Sequence, residues 1–275
     1  MRINSVLWLF LLIVAAPATA RQFTLLNYEQ APIGTSDETA VERLQAGIAI
    51  PIRLGEVELT HGIRFKQLTL DQGTSWPATL PSGDRYQEIR YEGSVSFPMG
   101  NRWRTTVFAT AGLASDFLED VTADDVDFQA AVLMNRVSET RTIGFGLAYR
   151  NRLDVGLLPL VIYQARVGAS WNVDVLAPAR AAAWYQASER VTLGLAVKYN
   201  QLSYHLSDHP MQRVDHTLST VGPSVRIGLG ALPLFLELSG GIVLVNSLEY
   251  GTGNSEVTED AGSGSFFSVS LLARQ

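Results

Sequence analysis

From about residue 40 onward, apolar side chains recur at every second position, and that period commits the chain to extended strands with two unlike faces. Leu44, Ala46, Ile48, Ile50 and Ile52 alternate with Arg43, Gln45, Gly47 and Ala49. Ile89, Tyr91, Val95 and Phe97 alternate with Glu88, Arg90, Glu92, Ser94 and Ser96. The same design returns in Trp103/Thr105/Val107/Ala109, in Ile143/Phe145/Leu147/Tyr149 and in Val191/Leu193/Leu195/Val197/Tyr199. No helical stripe of comparable length competes with it.

The links between these segments alternate in length. Tight ones fall at Leu54-Gly55-Glu56, Met99-Gly100-Asn101, Ser138-Glu139-Thr140, Gly168-Ala169-Ser170, Ala187-Ser188-Glu189 and Gly230-Ala231-Leu232. Between them lie longer polar links: Ala31 to Glu38, Asp71 to Asp84, Asp116 to Asp127, Asn151 to Leu157, Leu206 to His216 and Glu249 to Gly264. Ala177 to Arg180 breaks the rhythm, being tight where a long link is due. Short turns at one end and long loops at the other are the habit of barrels that cross an outer membrane. The expected fold is therefore all-β: a transmembrane, antiparallel, up-and-down β-barrel of about 12–14 strands, the short turns periplasmic and the longer loops extracellular. Phe23 to Gln30 and Ala181 to Gln186 carry the weakest strand pattern.

Residues 1–20 have the form of a cleaved signal peptide: Arg2, an apolar core from Val6 to Ala16, and the small-x-small site Ala18-Thr19-Ala20. A single barrel domain is expected over 21–275, delivered to the cell outer membrane. No apolar run after residue 20 is long enough for a spanning helix, since Ala231 to Val245 is interrupted by Pro233, Glu237 and Gly240-Gly241. The chain has no cysteine, so neither a disulfide framework nor a lipid-modified cysteine can stabilise or anchor it. A net charge of −6 leaves no basic stripe for phosphates, which argues against nucleic acid as a partner.

A soluble β-sandwich would also alternate. Here, however, the non-apolar face mixes charge with Gly, Ala and Ser, as a water-facing lumen does, and aromatics gather near strand ends as interfacial girdles do. The girdle candidates are Tyr91, Phe97, Trp103, Tyr149, Tyr163, Trp171, Trp184 with Tyr185, Tyr199 and Tyr204. Over Leu158 to Leu206 the order is an LP-initiated strand, a tight turn, a Trp-led strand ending in Ala-Pro, a Tyr-containing strand, a Ser-Glu-Arg turn and a long Thr-Leu-Gly strand. That order resembles the uncharacterised, porin-like outer-membrane β-barrel families of Gram-negative bacteria. The resemblance implies fold and location rather than chemistry. It also implies outer-membrane lipid, lipopolysaccharide and the barrel-assembly machinery as partners, with small solutes as candidate cargo. Many such barrels end in an aromatic residue; this chain ends in Ala273-Arg274-Gln275, with Phe266 and Phe267 as the nearest substitutes.

If the apolar faces meet lipid, Glu58, Arg64, Lys66, Glu88, Arg90, Glu92, Arg104, Arg150, Lys198, Arg226 and Glu237 line the lumen. Two readings of them stand side by side: wall charges that bias permeation, and an internal salt-bridge network that rigidifies and partly fills the barrel. Asp116, Glu119, Asp120, Asp124, Asp125 and Asp127 read as a solvated acidic loop, because the glycine-turned spacing of a calcium loop is missing. An alternative function is a lipid-modifying hydrolase of the deacylase or phospholipase type. It rests on Ser203, His205, Ser207, Asp208, His209, Asp215 and His216, residue types a nucleophile-base-acid set needs. No nucleophile-elbow motif accompanies them, so no catalytic residue, cofactor or metal ligand is expected. His205 and His209 have a spacing that would converge on a metal from a helix, not from a loop. His61 is expected on the outward face of its strand.

Overall fold

The computed structural model describes residues 22–32, 40–71, 85–151, 156–207, 212–230, 232–252, 255–260 and 264–274. They form β1 (Gln22–Pro32), β2 (Ala40–Leu54), β3 (Val57–Asp71), β4 (Arg85–Pro98), β5 (Trp103–Ser115), β6 (Val126–Val137), β7 (Arg141–Arg150), β8 (Leu157–Val167), β9 (Trp171–Ala177), β10 (Arg180–Gln186), β11 (Val191–His205), β12 (Arg213–Gly228), β13 (Leu234–Thr252), β14 (Ser255–Asp260) and β15 (Ser265–Arg274). The only helical element among the described residues is a 3₁₀ turn at Ala123–Asp125. Residues 1–20, with the signal-like segment, lie outside the described residues.

Each strand pairs antiparallel with its neighbour, and β15 pairs with both β1 and β13, so fourteen strands close into a barrel. β14 lies outside that count as a short hairpin on the upper half of β13, pairing from Ser247 to Thr252. The sequence-read link Glu249 to Gly264 is therefore largely a strand extension, and Leu206 to His216 likewise ends in strand from Arg213. Both weakly patterned segments are strands, β1 and β10. The tight links are sharp turns, and Gly55 and Gly168 hold left-handed backbone there (φ 64° each) that a Cβ would strain.

Alternation along each strand sorts side chains into two populations. On one face Ile63, Phe145, Val161 and Leu195 are 52–58% exposed, an apolar exterior too extensive for a water-soluble surface. His61 shares that face and tilts against Tyr91. On the other face sit the buried charges and hydroxyls.

Strand length varies around the wall, and this shapes the interior. β9 and β10 have seven residues each, whereas β3 has 15, β11 has 15 and β12 has 16. Seven residues rise about 24 Å, close to the apolar band of an outer-membrane barrel, while 15 or 16 rise about 50 Å. The taller strands therefore project beyond β9 and β10 at the long-link end. There β5 meets β11 directly: His205 and Ser115 pair in parallel, and the Asp116 N–H donates to the His205 carbonyl at 3.2 Å. Strands β6 to β10 drop out of the circumference at that level, and the walls of the narrowed ring touch. Val41, Leu68, Leu70, Tyr86, Leu202, Tyr204, Val214, Leu248 and Tyr250 fill it as one buried apolar cluster.

Candidate functional site: the charged lumen

The interior face is best built rung by rung from the register. Below the apolar closure, Lys66 lies opposite Glu88, and Arg90 is separated from Asp127 by Gly112. A Cβ on Gly112 would stand 2.2 Å from the Ile89 carbonyl and 2.6 Å from the Arg90 Cβ, so only glycine lets Arg90 cross to β6. Glu88 takes Lys66 at 3.5 Å and Arg90 in closer contact. Asp127 takes Arg90 at 3.4 Å and Arg150 at 3.2 Å. Arg150 also donates to the Gln201 carbonyl at 3.0 Å, spanning from β7 to β11. Three cations, Lys66, Arg90 and Arg150, thus face two carboxylates, Glu88 and Asp127.

A second cluster bridges β1, β2, β12 and β13. Arg43 pairs with Glu29 at 3.5 Å and donates to His216 Nδ1 at 2.9 Å. Arginine has no acceptor, so that ring nitrogen is unprotonated, and His216 Nε2 donates to Asn246 Oδ1 at 2.7 Å. His216 is the neutral Nε2–H tautomer in this geometry. Lower down, Arg64 pairs with Glu92 at 2.9 Å.

Toward the tight-turn end, Glu237 holds Arg226 at 2.6 Å and reaches up to Lys198 at 3.4 Å; beside Lys198, at the crest of the short β9–β10 hairpin, Asp174 holds Arg180 at 2.7 Å. Arg226 stacks on the Trp184 indole, 3.5 Å above its centroid. The indole lies flat over Gly194, where a Cβ would come within 2.3 Å of the ring. Around the wall, Glu58 pairs with Arg53 at 2.8 Å and Arg104 at 3.1 Å. Both groups again hold one more cation than carboxylates.

All eleven charged residues singled out in the sequence fall on this one face, each in an ion pair. Their environment is graded. Cations near the closure are 6–17% exposed (Arg90 6%, Arg150 10%, Lys66 17%), whereas beside the tight turns Arg226 is 19%, Arg104 28% and Arg53 49% exposed; Arg180, at the crest of the short β9–β10 hairpin, is 53% exposed.

Several sequence expectations need correction. Trp184 and Tyr204 are not girdle residues: both point inward and are buried, because the lumen needs large side chains where walls approach. The acidic segment is not simply solvated. Asp127 is a strand residue salt-bridged to two arginines, Asp116 accepts the Ser207 N–H at 3.1 Å, and Asp125 contacts His205 at 2.9 Å. The hydrolase set is not assembled among the described residues: Ser203 is opposite Asp215 and Leu202 opposite His216, so Ser203 and His216 occupy opposite faces of β11 and β12. Asp208 and His209 lie outside the described residues. No cluster of three metal-ligating side chains occurs among the described residues. Sequence reasoning missed Glu29, Arg43, Asp174, Arg180 and Asn246 as interior groups; Arg43 could have been found from its place on the polar face of its strand.

A closed antiparallel barrel with an apolar exterior and a salt-bridged interior is the class these features define. Residues 95–273 match the family described as domain of unknown function DUF6268, and the chain belongs to that family. Among solved structures it is similar to a NanC porin (8% identity, 91% of this chain and 99% of that one, TM-score 0.37). It is also similar to LpxR from Salmonella typhimurium (8% identity, 92% and 99%, TM-score 0.37). A third likeness is to the outer membrane protease OmpT from Escherichia coli (10% identity, 93% and 95%, TM-score 0.24). No curated protein matches the chain.

Proposed function

We propose that this chain is an integral outer-membrane barrel whose lumen is a positively biased compartment for small anions, accessible from the tight-turn end and shut at the long-link end. In this reading residues 1–20 direct export, and lipid with lipopolysaccharide surrounds the apolar exterior. The observation that carries the reading is the graded interior. Each of three charge groups holds one surplus cation, the exposure of the cations rises from Arg90 near the closure to Arg104 and Arg53 beside the turns, and the opposite end is filled by tyrosine and leucine. A surplus of fixed positive charge in a confined, low-dielectric wall concentrates counter-anions. The apolar exterior supports membrane insertion because closed barrels satisfy every backbone group in hydrocarbon.

The test uses protein reconstituted in planar bilayers and in vesicles. The parent protein is expected to give no stable single-channel steps. A fluorophore on Gln164→Cys, facing the lumen on β8, is expected to be quenched more strongly by iodide than by caesium, and Lys198→Glu with Arg180→Glu should reverse that order. Large steady conductance in the parent protein, or equal quenching by the two ions, overturns the reading.

A further inference from the structure

The one irregularity in link length has a structural counterpart. β8 pairs with β9 only from Val161 onward, and β10 pairs with β11 only up to Lys198, with one further bond from the Tyr199 N–H to the Ala179 carbonyl. Among the described residues, Leu157–Leu160 of β8 and Asn200–Tyr204 of β11 therefore have a strand partner on one side only. The β9–β10 hairpin is a low sill in the wall, and the Arg150 guanidinium reaches across above it to Gln201.

The lumen face beside this sill is unlike the rest. Leu158, Leu160 and Ile162 point inward, since their neighbours Leu157, Pro159 and Val161 point out, and Leu176 lies opposite Ile162. Over Leu157–Ile162, β8 is thus apolar on both faces. On the narrowed ring above, inward aliphatic side chains are buried; here the four are only part-buried among the described residues. From Leu158 to Ile162 the stripe runs about 14 Å along the strand. At its lower end, Arg180 stands opposite both Leu176 and Lys198, and its guanidinium is more than half exposed despite its pair with Asp174.

We infer that this bay binds an anionic amphiphile, a straight aliphatic carboxylate of about a dozen carbons, with its chain along Leu158, Leu160, Ile162 and Leu176 and its head group at Arg180 and Lys198. The inference rests on the electropositive-lumen reading and names the ligand class of one part of that lumen. Three features select this occupant over a purely polar one. Part-exposed aliphatic side chains on the lumen face gain by being covered. The sill brings the bay next to the apolar exterior, where such molecules partition. The accessible cation at the end of the stripe complements a carboxylate, whose bond to guanidinium is charge-assisted.

The chain is free of cysteine, so a single reporter can be placed cleanly. The full-length protein with an environment-sensitive fluorophore on Gln164→Cys, in phosphatidylcholine nanodiscs, is titrated with dodecanoate and with dodecanol. A reporter on Val161→Cys, on the outer face, registers simple partitioning into lipid. The expected result is a saturable blue shift at Gln164→Cys alone. Arg180→Gln should weaken dodecanoate about tenfold, the loss of one charge-assisted bond, and leave dodecanol unchanged. Leu160→Gln with Ile162→Gln should weaken both. An unsaturable signal at Gln164→Cys, with iodide quenching intact, overturns the amphiphile site and leaves the anion compartment standing. Saturation that Arg180→Gln does not alter overturns it too. A reporter shielded from iodide before any ligand is added means that the chain itself fills the bay, and both readings fall.

Discussion

Truncating Tyr204 tests whether the apolar cluster is the barrier at the long-link end. Tyr204 is 0% exposed, and its ring lies 5.6 Å from that of Tyr86 on β4, the strand just beyond β5 in the narrowed ring. An aromatic side chain buries about 150–250 Å², worth roughly 4–6 kcal/mol at about 25 cal/mol per Å². Buried aromatic-to-alanine substitutions cost about 3–5 kcal/mol, so about 4 kcal/mol is expected for Tyr204→Ala. The hydroxyl contributes little, having no hydrogen-bond partner among the described residues, and Tyr204→Phe should stay within about 1 kcal/mol of the parent. Urea unfolding of the vesicle-inserted protein reads the stability, and planar-bilayer recording reads the barrier. Tyr204→Ala, and more so its double with Tyr86→Ala, should show anion-preferring conductance steps, while Tyr204→Phe stays silent. A Tyr204→Ala protein that is folded, destabilised as expected and still silent would refute the cluster as the seal. Conductance in Tyr204→Phe would refute the assignment of the seal to ring packing.

Two further perturbations probe the charges. Asp127→Ala leaves Arg150 without a carboxylate and Arg90 with Glu88 alone in a buried setting, and should cost about 3–5 kcal/mol in urea unfolding. Arg53→Ala, at a 49% exposed pair, should cost under about 1 kcal/mol, and equal costs would show that burial does not set the energetics. Burial alone would raise the Asp125 carboxyl, but hydrogen bonds from Ser115, the Thr122 N–H and His205 hold it below its ordinary value of 3.8. Its folded pKa is below its unfolded one, so its stabilisation is complete above the unfolded value and disappears as pH falls through the folded one. Pepsin cleavage between residues 116 and 125 should accordingly rise below about pH 4, and it should be fast at every tested acidic pH in Asp125→Asn. A cleavage rate that is flat with pH in the parent would remove the tether.

Much of the barrel was legible because strand alternation is a matter of covalent geometry: once Ile89 and Tyr91 face out, Glu88, Arg90 and Glu92 must face in. Contacts that cross the lumen were not legible. Nothing in the spacing says that Arg43 will reach His216, 173 positions away, because that depends on how far the opposed walls collapse. Trp184 and Tyr204 were misread for a related reason: an aromatic near a strand end suits a girdle or a crowded lumen equally, and only packing distinguishes the two. Asp127 was grouped with the acidic link because aspartate is a poor strand former, which hid the start of β6. Its neighbour on the rung, Gly112, which has no side chain, was the trace that an arginine would pass there.

The short Ala177 to Arg180 link explains more of the molecule than any charge does. If β9 and β10 were as long as β11, the full circle of fourteen strands would continue to the rim, and the inner walls would stand too far apart to touch. Seven-residue strands end early, β5 is left beside β11, and the ring above contracts until Tyr86 meets Tyr204. The same shortness leaves the inward leucines of β8 without a covering wall. Closure at the rim and an apolar bay beneath it are therefore two results of one cause, and lengthening the β9–β10 hairpin should weaken both together.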